Sequence, residues 1–268
     1  LNDNTYQYLY KGQDFMRKTG IHEASTFLGF CGRHDKELFG RAEIRPLQQH
    51  NREHSVVLFL RAVAYEIARK REAHFRLDLY TKRLAHSLPS SQLEWMRLWM
   101  EGQQLAFERD GPYYMTTALV AMESGKFDDF VVRWRIVPQN LGGSTCSVAN
   151  PMPLDEFYEK FYRTLGTIPT LYTFNIVPTT SKTHIILSWL ASQHHHIGFT
   201  VPTNDDWGGL EALTNELAFV ESEDTCVSLD LWDNLASEAQ DQVRFAIGNE
   251  FFRGKLEVGQ FPRVLVIG

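Results

Sequence analysis

The sequence predicts an α+β protein in which a helical N-terminal region packs against a mixed C-terminal β-sheet with flanking helices. Three observations lead there. Apolar residues recur at three- and four-residue intervals through the first half of the 268 residues. Short segments rich in β-branched and aromatic residues then begin abruptly after Gly125. The order of helices first and strands later argues against a regular βαβ alternation. A division into residues 1–125, mainly helical, and 126–268, a sheet with helices, follows from that change.

The first helix is expected from a cap at Asn4 or Thr5, with Tyr6, Leu9, Tyr10 and Phe15 on its apolar face and Gly20 at its end. After the cluster at Cys31, a loop through Pro46 should lead into a long helix over about Arg52 to His86. There Val56, Leu60, Val63, Ile67 and Ala68 repeat at helical spacing before a polar continuation at Arg69. Pro89 breaks that helix, and Ser90 or Ser91 can cap the next, which runs through Leu93, Met96, Leu105 and Phe107 towards Gly111-Pro112. A further helix is expected over about Tyr113 to Glu123.

Strands are expected over Phe130 to Val137, Thr170 to Val177 and His184 to Trp189, each flanked by turn formers. Helical stretches lie near Leu154 to Arg163, Trp207 to Phe219 and Ser237 to Phe252, the last opened by a Ser237-x-x-Gln240 capping box. Gly142-Gly143-Ser144-Thr145 reads as a turn, because it lacks the lysine and the strand-to-helix context of a phosphate cradle. Asn204-Asp205-Asp206 reads as a helix cap and Asp128-Asp129 as a strand entry, in preference to a magnesium site.

Composition bounds the function. A formal charge of −6 argues against a surface that is basic throughout, so nucleic-acid contact would have to come from a local patch. Three widely separated cysteines, Cys31, Cys146 and Cys226, do not describe a disulfide framework, which points to a reducing, cytoplasmic setting. The longest apolar run, Ser55 to Ala68, is interrupted by Arg61 and Glu66, so no membrane span is expected. The opening Leu1-Asn2-Asp3-Asn4 suggests a chain that begins inside a longer protein.

Cys31 and His34 stand two residues apart beside Asp35 and Glu37. Thiolate and imidazole suit zinc, which makes these two residues candidate metal ligands and zinc the candidate cofactor. A structural zinc site needs four ligands; His22, Asp35, His50 and His54 are the nearest further donors, or a cysteine pair upstream of Leu1. The plain alternative is a buried free cysteine beside a surface histidine.

The run Ala24 to Phe39, followed by Glu43 and by Phe59-Leu60-Arg61-Ala62-Val63-Ala64-Tyr65-Glu66, resembles a group of uncharacterised bacterial proteins with a Cys-x-x-His-Asp-x-x-Leu-Phe element. That element is similar in turn to the second metal knuckle of HNH-type endonucleases. The resemblance covers Ala24 to Glu66, with His34 standing where the knuckle has a second cysteine and with no first knuckle or catalytic histidine segment in the chain. It implies a metal-binding, nucleic-acid-associated protein related to HNH-like nucleases.

Other patterns point to nucleic acid more locally. Arg69-x-x-x-x-His74 fits the spacing of HEPN-type ribonucleases, as does Arg45-x-x-x-x-His50, although residues five apart on a regular helix lie about 140° apart and a solvated basic face is the plainer reading. Arg133 and Arg135 flank Trp134 on a strand, which can turn both guanidinium groups to one face to meet phosphate, with sheet packing and ordinary surface arginines as the plainer reading. His194 and His196 would share one face of a strand, with an exposed edge or turn as the alternative. Against these stands a non-enzymatic module in which the helical half binds a protein partner.

Overall fold

A computed structural model describes residues 32–43, 46–49, 51–151, 167–197, 202, 206–222, 225–248 and 264–265. The helices expected near Thr5 to Gly20 and Leu154 to Arg163 lie outside the described residues. The architecture is α+β: helices first, then a five-stranded sheet with helices on both faces.

Where a loop was expected after Cys31, helix α1 spans Gly32–Glu43. Its sequence is too polar to announce itself, but burial decides the outcome. Phe39 is enclosed in the cluster formed with α2 and lies beneath the Arg61 guanidinium, while Arg33 and Glu37 pair across one turn on the exposed side.

Helix α2 runs over Arg52–Leu84, 33 residues, close to the span that periodicity predicts. Asn51 caps it by accepting the His54 N–H at 3.1 Å, and Lys82 and Arg83 complement the dipole in its last turn. Its buried residues all lie between His54 and Ala64. Beyond them, Glu66–Lys70 and Asp78–Lys82 pairs clothe a half-exposed rod.

Helix α3, Ser90–Leu105, folds back along α2. Ser90 and Ser91 do not cap it: Pro89 holds the cap position, and its fixed φ rather than a side-chain hydrogen bond sets the helix start. A π-helical turn, Ala106–Asp110, leads into α4, Gly111–Ser124, where Pro112 sits in the first turn and Gly125 closes the helix at φ 66°. Gly111 permits a close crossing with α2, because a Cβ there would lie 2.3 Å from Ile67 Cγ1.

The strands are β1 (Phe130–Val137), β2 (Gly143–Ala149), β3 (Tyr172–Pro178), β4 (Thr183–Leu190) and β5 (Cys226–Val227), in spatial order β1-β4-β3-β2-β5. Every described pairing is antiparallel, where the sequence suggested a mixed sheet. The reason is local for β3 and β4, which a tight turn joins: the Thr179 N–H donates to the Lys182 carbonyl at 2.7 Å. Only Gly142, at φ 69°, keeps the turn character expected of Gly142 to Thr145; Gly143 already opens β2. Strand β4, between β1 and β3, is buried along its whole length.

Register divides the sheet into two faces. One carries Tyr172, Phe174, Ile176, Ile185, Leu187 and Trp189 and forms a core with Leu210, Leu217, Phe219, Val243 and Leu265. The other brings Phe130, Leu190 and Val148 against Phe59, Leu60 and Val63 of α2 and Tyr114 of α4. The helical region therefore packs on the sheet through α2 and α4.

The C-terminal layer contains α5 (His194–Ile197), α6 (Trp207–Glu216), a π-helical turn (Leu217–Glu221), α7 (Leu229–Asn234) and α8 (Ser237–Gly248). Asp206 caps α6 as expected, accepting the Gly209 N–H at 2.8 Å. The capping box read at Ser237 is not formed, since the Gln240 side chain reaches to the Trp232 carbonyl at 2.7 Å and Ser237 is already helical. No described helix is long and apolar enough to cross a membrane.

Candidate functional site

The strand pattern Phe-Val-Val-Arg-Trp-Arg-Ile-Val alternates so that Arg133 and Arg135 leave the sheet together on the side opposite Trp134. β1 lies at the end of the sheet, and its only described strand neighbour is β4. The Arg133 guanidinium lies 5.7 Å from the centre of the Trp189 ring and donates to the Pro202 carbonyl at 2.5 Å. Arg135 lies 5.8 Å from the centre of the Trp207 ring, on the first residue of α6. Each cation is thus laid against an aromatic face, an arrangement that holds a guanidinium flat and leaves its edge for hydrogen bonding.

Charge accumulates here. Partial burial lowers the pKa of Arg133, and the adjacent Arg135 charge lowers it further. Nη2 of Arg135 is buried without a hydrogen-bond partner among the described residues. The nearest carboxylate in sequence to Trp207, Asp206, spends one oxygen on the cap of α6. Trp207 itself is 44% exposed, an unusual state for a large indole.

The three consecutive histidines lie shortly after β4. They form an exposed helical turn, in place of a strand whose one face would carry His194 and His196, and in keeping with the exposed turn read as the alternative. The Trp189 indole N–H donates to Nδ1 of His194 at 3.3 Å with the two rings nearly parallel. His195 and His196 lie ring against ring with centroids 3.8 Å apart. The two guanidinium groups and the exposed indole form a combination able to hold phosphate oxygens and stack a planar base, while, among the described residues, the histidine turn touches this face only through Trp189, which contacts both His194 and Arg133.

The remaining sequence candidates are placed elsewhere. Cys31 lies outside the described residues; His34 falls in the first turn of α1, and Glu37 of the same cluster pairs with Arg33. Among the described residues no group of three or more histidine, cysteine or acidic side chains is arranged to hold a metal ion. Arg69 lies over Tyr65 of its own helix, whereas Nδ1 of His74 is 3.1 Å from the Met100 carbonyl and its ring packs on Phe107. Asp128 forms an exposed ion pair with Arg52 at 2.5 Å.

Sequence reasoning missed Trp207 as the neighbour of Arg135. Alternation along β1 reveals that Arg133 and Arg135 share a face, but only the tertiary fold brings α6 onto it. Comparison with known proteins found no matching family model, no matching curated protein and no matching solved structure.

Proposed function

We propose that this chain is a nucleic-acid-associated protein that engages the phosphate backbone through Arg133 and Arg135. The observation that carries the reading is the placement of two guanidinium groups side by side on one sheet face, with the exposed Trp207 indole against Arg135. Such a surface supplies a local positive field on a chain whose net charge is −6, and stacking adds affinity that does not depend on base identity. Nucleic-acid association is also what the resemblance around Cys31 and His34 implies, and the two lines of support are independent in sequence.

Fluorescence anisotropy with labelled single-stranded and duplex oligonucleotides tests this. Binding should weaken as salt rises, and Arg133→Ala or Arg135→Ala should each reduce the slope of log affinity against log salt by about 1. Unchanged affinity and slope in the double variant would remove the arginine face from the reading. The metal-binding half rests on Cys31 and His34 and is tested separately, by elemental analysis of purified protein. Stoichiometric zinc that disappears in Cys31→Ser with His34→Ala supports it, and zinc-free wild-type protein ends it.

A further inference from the structure

Trp207 holds the first helical position of α6 and keeps 44% of its surface exposed although the Arg135 guanidinium lies 5.8 Å from its ring centre. A cation laid on one face of an indole leaves the opposite face to account for so large an exposure. The residues that follow bring no side chain over it. They are Gly208 and Gly209, and a Cβ built on Gly208 would meet only Asp206 Oδ1, at 3.9 Å.

The surroundings restrict what can lie on that open face. Arg135, with Arg133 two residues along the same side of β1, supplies positive charge, whereas Asp206 at the cap of α6 supplies a carboxylate. An anion is therefore drawn to the arginines and kept from the cap, while the indole asks for a planar, weakly hydrated partner. A base tethered to its own phosphate meets both demands, provided that its face is free. In a duplex the faces of internal bases are already covered by their neighbours, and reaching one requires unpairing and unstacking it. In a single strand they are available to an aromatic side chain without that cost.

We infer that the arginine face takes single-stranded nucleic acid in preference to duplex, and that Trp207 makes the distinction by stacking one unpaired base on its open face. The inference rests on the phosphate-backbone reading above and deepens it: the arginines hold a strand in either form, and Trp207 selects the form.

Wild type, Trp207→Ala, Trp207→Phe and the Arg133→Ala, Arg135→Ala double variant are titrated by fluorescence anisotropy with a labelled oligothymidine and, at the same salt, a labelled duplex. Trp207→Ala should weaken single-strand binding about tenfold and duplex binding less than about twofold, with the salt slope unchanged because no phosphate contact is lost. Trp207→Phe, which keeps a stacking face, should retain most of the single-strand affinity. Ultraviolet crosslinking of the wild type to a bromouracil-substituted strand should map to the peptide that contains Trp207. Unchanged single-strand affinity in Trp207→Ala, equal losses on the two probes, or crosslinks that map away from Trp207 would overturn the inference; the arginine reading survives these results where the double variant still loses affinity. Absence of salt-dependent binding to either probe overturns both.

Discussion

The indole N–H of Trp134 donates to Nδ1 of His184 at 2.9 Å across β1 and β4, with the two rings edge to face. Both residues are buried, so the bond joins an edge strand to the centre of the sheet and holds the imidazole in a single tautomer. Burial favours the uncharged ring, and the folded pKa lies below the ordinary value of 6.5.

The sign of the resulting pH dependence follows. Below the unfolded pKa the unfolded chain binds a proton that the folded chain refuses, so stability falls as pH drops through about 6.5 and stops falling only below the folded value. Denaturant unfolding at pH 7.5 and 5.5 should show a larger loss for the wild type than for His184→Gln, which retains an acceptor for Trp134. Equal losses in the two proteins would contradict this assignment.

Tyr114 joins α4 to the segment before β3. Its hydroxyl donates to the Pro169 carbonyl and accepts from Gln193 Nε2 at 2.7 Å, and burial raises its pKa well above the usual phenol range. Tyr114→Phe removes both bonds, while Gln193 Nε2 keeps its 3.4 Å bond to the Pro169 carbonyl, so the change should cost about 1 kcal/mol. Equilibrium urea unfolding at neutral pH measures it, and a change under about 0.5 kcal/mol, the usual scatter of surface substitutions, would contradict the predicted role.

Gly111→Ala should destabilise the α2–α4 crossing. The added methyl would sit 2.3 Å from Ile67 Cγ1 and 3.0 Å from the Ala106 carbonyl oxygen, so one side chain and one turn of backbone must give way. Overpacking of this kind costs about 1–3 kcal/mol. Pairing the change with Ile67→Val or Ile67→Ala should recover part of the loss if the clash is its cause, which a double-mutant cycle resolves.

Asn215 ties the C-terminal segment to α6. Its Nδ2 donates to the Glu211 and Leu265 carbonyls, and its Oδ1 accepts the N–H groups of Val264 and Leu265, each at 2.9 Å. Asn215→Leu keeps the branched shape and loses all four bonds; a loss of about 2 kcal/mol or more is expected from the buried groups left behind. Limited proteolysis should then cut near Leu265 sooner than in the wild type, and an unchanged cleavage rate would argue against this anchoring role.

What the sequence revealed tracks how each element gains its stability. Helix α2 and strands β1, β3 and β4 were legible because their apolar residues repeat at the period of the element they form. Helix α1 was not, since it is held by Phe39 against a distant helix and by little of its own pattern. β2 escaped because Ser, Thr, Cys and Ala fill it, and its pairing with β3, rather than intrinsic preference, makes it a strand. The shared face of Arg133 and Arg135 could be read from alternation. The place of Trp207 against Arg135 required tertiary contact, which one chain without its fold does not display.

The unequal use of α2 has a mechanical consequence. At about 1.5 Å per residue its 33 residues form a beam near 50 Å long, clamped to the sheet over its first third and packed against α3 and α4. Force applied at the α3 end would therefore reach the sheet with leverage, through Phe59 and Leu60 and onto the layer that contains His184.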